Sequence, residues 1–327
     1  MTLVLTRSDV IELLDMRSCI DAVESILKAD AEGRTLGPEI MGTHVGDGGF
    51  HIKSAGSRGS PSYYAVKINA NFPGNPTLHG LPTIQGVVIL FDASDGAPLA
   101  VMDSMEITAL RTAAASAVAA KYLSATDAKV LCIIGCGVQA RAHLFALTAV
   151  RRFERILVHD NVAQKAEAFA TDFASILKIP IEPMRLVAEA AAVSDVIATC
   201  TTGRQQVLDA DSLKPGTFLA AVGADNESKR ELDPRLLSQS VVIVDSLEQC
   251  AKIGELHHAL DAGVMSVSDV RASLTDVVSG AVQGRRSESE IIVFDSTGTA
   301  LQDVAAAALV YGRAVASGRG HQVEIGR

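Results

Sequence analysis

The sequence predicts an α/β protein, a doubly wound parallel sheet joined to a smaller α+β lobe, and three observations carry that prediction. Between residues 129 and 295, short apolar runs rich in Val and Ile alternate with segments of helical period, as a parallel sheet covered on both faces requires. One run, 129–134, ends in a glycine-spaced turn of Gly135, Gly137 and Ala140 that opens a helix. The first part of the chain instead shows two helical segments and then strands broken by Gly, Asn and Pro, the turn chemistry of a separate α+β lobe.

In chain order, helical periodicity marks 7–14 and 18–32, and short strands are expected around 64–68 and 86–91. An alanine-rich helix then carries Arg111 and Thr112. Core strands are expected at 129–134, 155–160, 195–200, 217–222, 241–245 and 290–295, about six in all. The helix after the glycine turn is expected to share Val138, Ala142, Phe145 and Ala146 on one apolar face. Ala300–Ser317 reads as an alanine-rich helix stopped by Gly318, and this last helix is expected to return to the first lobe. The expected domains are therefore 1–115 with 300–327, and 116–299.

Composition sets bounds on function. At 327 residues the chain is long for one core. Its 48% hydrophobic and 20% charged residues describe a soluble globular protein. A net charge of -9 argues against a nucleic-acid partner, because phosphate binding needs a basic face. No apolar run reaches membrane-spanning length and no signal segment opens the chain, so no membrane partner and a cytoplasmic location are expected. The five cysteines, Cys19, Cys132, Cys136, Cys200 and Cys250, have no CxxC spacing, which suggests neither a disulfide framework nor a metal site. Cys132 and Cys200 read as small buried hydrophobes within core strands.

The chemistry-bearing residues interrupt these apolar patterns. Gly135 permits a tight turn, Gly137 lets the backbone approach a pyrophosphate, and Ala140 allows close helix–strand packing. The pyrophosphate would sit on the helix N-terminus, where free N–H groups favour negative charge. Asp160 ends the next strand, placed to accept from an adenosine ribose and to repel a 2′-phosphate, and 159–162 offers no basic neighbour. The pattern predicts NAD rather than NADP. Ligands of such sheets bind beyond the carboxyl ends of the strands, which places Thr201, Thr202, Gly223 and Asp225 at the mouth of a site. Asp225 directly follows a strand and suits a general acid or base. Lys67 lies mid-strand, where an inward lysine needs an anion; an outward lysine on an edge strand is the plain alternative, and Lys53 shares the ambiguity. Arg111 suits a carboxylate or phosphate fork.

Several blocks then stand in one order: Tyr64 to Lys67, Gly80 to Thr83, Leu110 to Ala113, the glycine turn through Gln139, Val222 to Asp225 followed by Glu231 and Leu232, and Phe294 to Gly298. Over about residues 3–318 this arrangement resembles the ornithine cyclodeaminase and mu-crystallin family. The resemblance implies an NAD-binding Rossmann domain and a lobe that binds substrate and pairs two copies into a homodimer. It implies that Lys67 and Arg111 bind a substrate carboxylate, that Asp225 handles the proton at the substrate nitrogen, and that Thr297 faces the substrate. Thr83, Arg111, Gly135, Gly137, Val138, Gln139, Asp160, Thr201, Gly223, Lys229 and Ser296 fall where the family contacts its dinucleotide.

The resemblance does not select one reaction. Members include ornithine and lysine cyclodeaminases, alanine dehydrogenases, reductases of cyclic imines and of iminosuccinate, and a crystallin that binds thyroid hormone. Two departures bear on the choice. The family commonly places an arginine before the second strand of the first lobe, and 37–43 contains none. Cyclodeaminases carry a glutamate near the position of His51, whereas this chain has His51 and then Lys53, a cation suited to a second substrate carboxylate. The expected activity is an NAD-dependent imine reductase or amino-acid dehydrogenase acting at the Cα–N bond of a small α-amino or α-imino acid. The alternatives are a cyclodeaminase and a nucleotide-dependent binding protein without turnover.

Overall fold

The computed structural model describes residues 1–325, and the chain divides into two compact units, Met1–Ala114 with the C-terminal segment from Thr299, and Ala115–Gly298. The first unit is built on a seven-stranded sheet. Its strands are β1 (Thr2–Leu5), β2 (Thr35–Val45), β3 (Gly48–Ser57), β4 (Tyr63–Asn71), β5 (Ile84–Asp92) and β6 (Pro98–Asp103), with a C-terminal strand at His321–Val323. From that C-terminal strand the order runs β1, β6, β5, β4, β3, β2. Only β1 with β6 is parallel.

The main cover of this sheet is the helix Ala300–Ser317, with Met16–Ala31 packed against it. Met16–Ala31 starts where the Asp15 side chain accepts from the Ser18 N–H at 3.0 Å, satisfying one of the free donors of the first turn. It packs on Ala300–Ser317, which lies across β3 and β4 and buries Val304, Ala306, Ala307 and Val310. Gly318, at φ +66, ends that helix in the left-handed conformation that glycine tolerates.

The strands here are not all short: β2 has 11 residues and β3 has 10. Most of β2 is exposed, so no burial period is written into its sequence. Segment 37–43 lies inside β2, not ahead of a strand.

The second unit holds eight strands: β7 (Val130–Ile134), β8 (Arg155–His159), β9 (Ile181–Pro183), β10 (Val196–Thr199), β11 (Phe218–Ala221), β12 (Val241–Val244), β13 (Ala272–Ser273) and β14 (Ile292–Asp295). Every pairing is parallel, in the order β13, β12, β14, β11, β10, β7, β8, β9. This is the doubly wound Rossmann-type sheet. Two strands beyond the expected six are β9, of 3 residues, and β13, of 2, too short to show a period. Fully buried Cys132, Leu157, Ile197, Leu219, Val242 and Val293 build its core. Each large aliphatic side chain there contributes about 1.5–3 kcal/mol.

Chain order reverses between β7 and β10, which are neighbours in the sheet, and this opens a crevice at their carboxyl ends. The helix Val138–Val150 follows β7 and buries Ala140, Ala142, His143, Leu144, Ala146 and Leu147. The predicted face is therefore corrected. Val138 is 63% exposed because it is the first helical residue, beside the open turn, and Phe145 is half-buried. Cys132 is buried in β7, but Cys200 follows β10 and is half-buried. No helix among the described residues is long and apolar enough to cross a membrane.

Candidate active site

In the first unit, Lys67 on β4 is only 3% exposed and its ammonium lies 2.9 and 2.8 Å from the two carboxylate oxygens of Asp303. The partner comes from the first turn of Ala300–Ser317, the helix that covers β4. Arg111, from the helix Met105–Leu123, donates Nη1–H to Gln302 Oε1 at 2.8 Å and places Nε 2.8 Å from Asp303 Oδ1. That last approach is a charge contact out of line for a hydrogen bond, so Arg111 Nε remains buried without an acceptor.

Lys53 on β3 stands directly opposite Lys67 in register, so both side chains leave the same face of the sheet. Lys53, Lys67 and Arg111 all act electrostatically on Asp303. Burial, reinforced by Arg111, pulls the Lys67 ammonium down to about 7. Burial would raise the Asp303 carboxyl, but Arg111 and Lys67 outweigh it and hold it below the usual carboxylate range. His51 is exposed and Thr83 half-buried, just ahead of β5.

In the second unit, the ends of β7, β8 and β10 enclose a cavity of about 620 Å³, within the range of ligand pockets. Gly135 adopts φ +93, and a Cβ there would meet the Cys200 carbonyl oxygen at 2.8 Å, so the fold itself demands this glycine. Gly137 caps the following helix without a side-chain bond, and a Cβ there would meet nothing within 4 Å. The space is open for a ligand. The first-turn N–H groups there have no side-chain cap, and Gln139 Oε1 is buried with no partner. Asp160 accepts from the Cys136 and Val162 N–H groups, each at 2.9 Å, which fixes its carboxylate on the cavity wall. These features fit a dinucleotide pyrophosphate and ribose.

Two cations also line this cavity, Lys165 and Arg204. The sequence around Asp160 gave no sign of them, because Lys165 returns from the first turn of the helix Ala163–Leu177 and Arg204 from the segment after β10. Thr201 lines the same cavity.

Beyond β11, Asp225 is half-exposed and pairs with Lys229 at 2.7 Å. Here Lys229 serves as the counter-ion of the proposed proton carrier. Gly223 has an internal reason to be glycine: a Cβ would fall 2.3 Å from the Glu231 carboxyl carbon. Ser296 and Thr297, both buried, donate to Asp245 at 3.3 and 3.1 Å, and the Gly298 N–H donates to it at 2.5 Å.

Besides Lys165 and Arg204, four more went unread in the sequence: Asp303, Gln302, Asp245 and the role of Glu231. Asp245 had a signal, an acid directly after an apolar strand, as at Asp160. Asp303 had a weaker one, an acid among alanines.

The chain matches known proteins over nearly its whole length. The ornithine cyclodeaminase/mu-crystallin family model matches residues 1–318. An alanine dehydrogenase of Archaeoglobus fulgidus is 36% identical over 329 residues, covering 100% of this chain and 99% of the relative. An iminosuccinate reductase of Paracoccus denitrificans is 32% identical over 324 residues, 99% of this chain and 100% of the relative. The structure of Thermococcus litoralis Delta(1)-pyrroline-2-carboxylate reductase, in complex with NADH and L-proline, matches with a TM-score of 0.94 and 34% identity, over 98% of this chain and 100% of that one. With matched blocks spread over both units, the chain belongs to the ornithine cyclodeaminase/mu-crystallin family.

Proposed function

We propose that the protein is an NAD-dependent oxidoreductase acting on the Cα–N bond of a small α-amino acid or α-imino acid, as an imine reductase or amino-acid dehydrogenase. The observation that carries this reading is the Lys67, Asp303 and Arg111 cluster, in which positive charge exceeds negative and a guanidinium nitrogen lacks an acceptor. A substrate carboxylate supplies both the charge and the acceptor. Relatives named for alanine, for a cyclic imino acid and for iminosuccinate support the substrate class.

Lys67 and Arg111 anchor the carboxylate, Asp225 holds the proton that the substrate nitrogen gains or loses, and Thr297 faces the substrate. Thr83, Arg111, Gly135, Gly137, Val138, Gln139, Asp160, Thr201, Gly223, Lys229 and Ser296 are the proposed dinucleotide contacts. Bound NADH supplies the hydride that reduces the imine carbon, while the protein supplies position and charge. Lys53 raises the positive potential on Lys67 and favours a neutral or acidic side chain over a second ammonium. Exposed Ile40, Met41 and Val45 along the edge strand β2 support pairing of two copies.

Purified protein is therefore expected to oxidise NADH with cyclic imines or with α-keto acids plus an amine, and to release little ammonia from ornithine or lysine. Efficient conversion of ornithine to proline with catalytic NAD would overturn the choice in favour of a cyclodeaminase.

Replacing Asp225 by Asn keeps the shape but removes the ionisable acid. Turnover should fall roughly 10²-fold or more while NADH affinity, read by calorimetry, barely changes. A near-normal rate in Asp225→Asn would remove Asp225 from the mechanism.

The lowered Lys67 ammonium sets a pH window. Below about 7 it is charged and binds an anion; as pH rises through about 7 the charge is lost. Steady-state KM for the carboxylate substrate should climb over that range, and Lys67→Ala should show a high KM with no such step.

Asp160 places a carboxylate against a 2′-phosphate, so NADH should bind more tightly than NADPH. Lys165 and Arg204 limit the margin, and Asp160→Ala should narrow or reverse it; tighter NADPH binding by the unmodified protein would count against this assignment.

A further inference from the structure

Glu231 is completely buried, and its carboxylate joins the ends of two neighbouring strands. Oε1 accepts from the Thr201 N–H at 2.6 Å, beyond β10; Oε2 accepts from the Gly223 N–H at 2.8 Å, beyond β11, and from Thr199 Oγ1 at 2.5 Å. Its backbone carbonyl accepts from the Val207 and Leu208 N–H groups at 2.6 and 3.2 Å. Both ends of segment 201–207, which lines the cavity beside Gly135, are thus tied to this one residue. Gly223 leads within two residues to Asp225.

Glu231 is itself held from behind. The Glu231 and Leu232 N–H groups donate to the Glu255 carboxylate at 2.7 and 3.1 Å, and the Glu255 and Leu256 N–H groups donate to Asp295 at 3.1 and 2.9 Å. The donors to the Glu231 carboxylate, the Thr201 and Gly223 N–H groups and the hydroxyls of Thr199 and Thr201, are all neutral, and burial pushes that carboxyl above its ordinary range. An ionised carboxylate accepts on both oxygens. An amide does not: whichever way Gln is turned, its NH2 group meets a fixed backbone N–H, of Thr201 or of Gly223. The geometry explains why an acid occupies a place where burial penalises charge.

We propose that Glu231 is a positioning residue of the reaction, locking the cavity segment 201–207 and the segment that carries Asp225 into one rigid body, so that dinucleotide and proton carrier share a single frame. This rests on the roles assigned above to the cavity and to Asp225.

The test compares unmodified protein with Glu231→Gln, Glu231→Asp and Thr199→Val. It uses hydrogen exchange of the nucleotide-free chain, calorimetric binding of NADH, and steady-state kinetics on an imine. Glu231→Gln should fold, by circular dichroism and a cooperative melt, and should exchange faster in 201–207 and 223–229 together. Its kcat should fall roughly 10-fold or more and its NADH dissociation constant should rise several-fold. Its KM for the imine, set by Lys67 and Arg111, should stay within about twofold. Thr199→Val keeps both backbone bonds and should remain within about threefold on every measure.

If Glu231→Gln does not fold, Glu231→Asp decides: its carboxylate, one methylene short, cannot reach both strand ends and should show the same split between kcat and KM. A folded Glu231 variant with kcat within twofold of the unmodified protein overturns the proposal. So does a variant whose exchange rises throughout the unit while imine KM and kcat worsen in proportion, because that is a structural role alone. Should the unmodified protein neither bind NADH nor reduce an imine, the functional reading fails, and the exchange comparison still decides whether Glu231 joins the two segments.

Discussion

Backbone N–H groups exposed where parallel strands end are the constraint around which the second unit is organised. A strand that stops leaves donors that its sheet no longer satisfies, and water is scarce at the buried end of a crevice. This chain answers with carboxylates placed at or after strand ends. Asp160 takes the Cys136 N–H across from β7, Glu231 takes those beyond β10 and β11, Asp245 takes Gly298 beyond β14, and Asp295 takes the start of the helix Glu255–Asp261. Each acid sets the path of a loop. The cavity is walled by the loops that Asp160 and Glu231 hold.

The first unit faces the reverse problem, a buried cation. Removing Lys67 from water costs several kcal/mol unless an opposite charge and good hydrogen bonds replace its solvation. Asp303 returns part of that cost, and Arg111 raises it again by standing close to the same anion. The result is a cluster neither neutral nor fully satisfied. Such an arrangement is a poor way to stabilise a fold and a good way to hold an anion, which is why it carries more functional weight than the cavity volume.

The sequence made the sheet of the second unit legible because buried parallel strands are written as unbroken apolar runs, and Gly135 and Gly137 punctuate the first of them. It concealed β9 and β13, which are too short for a period, and the length of β2, whose exposed residues follow no burial pattern. Among site residues, Lys67 and Arg111 stood out as charges in apolar settings. Their partner Asp303 did not, because its position is fixed by how Ala300–Ser317 lies on β4, a contact between segments 236 residues apart. Arg204 was hidden for the same reason, whereas Lys165, close to Asp160 in the chain, is turned back to the cavity by the first turn of its helix. Gly223 was legible as a site residue, and the structure adds a cause the sequence did not show: the atom that forbids a side chain there belongs to Glu231.

Asp303 also bears on how a bound acid departs. Cations that stay buried when a ligand leaves are left with an uncompensated desolvation penalty, which opposes its departure. Here a tethered carboxylate already waits beside Lys67 and Arg111, aligned well with the first and poorly with the second. At the proposed carboxylate anchor, release would be an exchange of partners, with the protein's own anion taking up the charge that the departing one gives back.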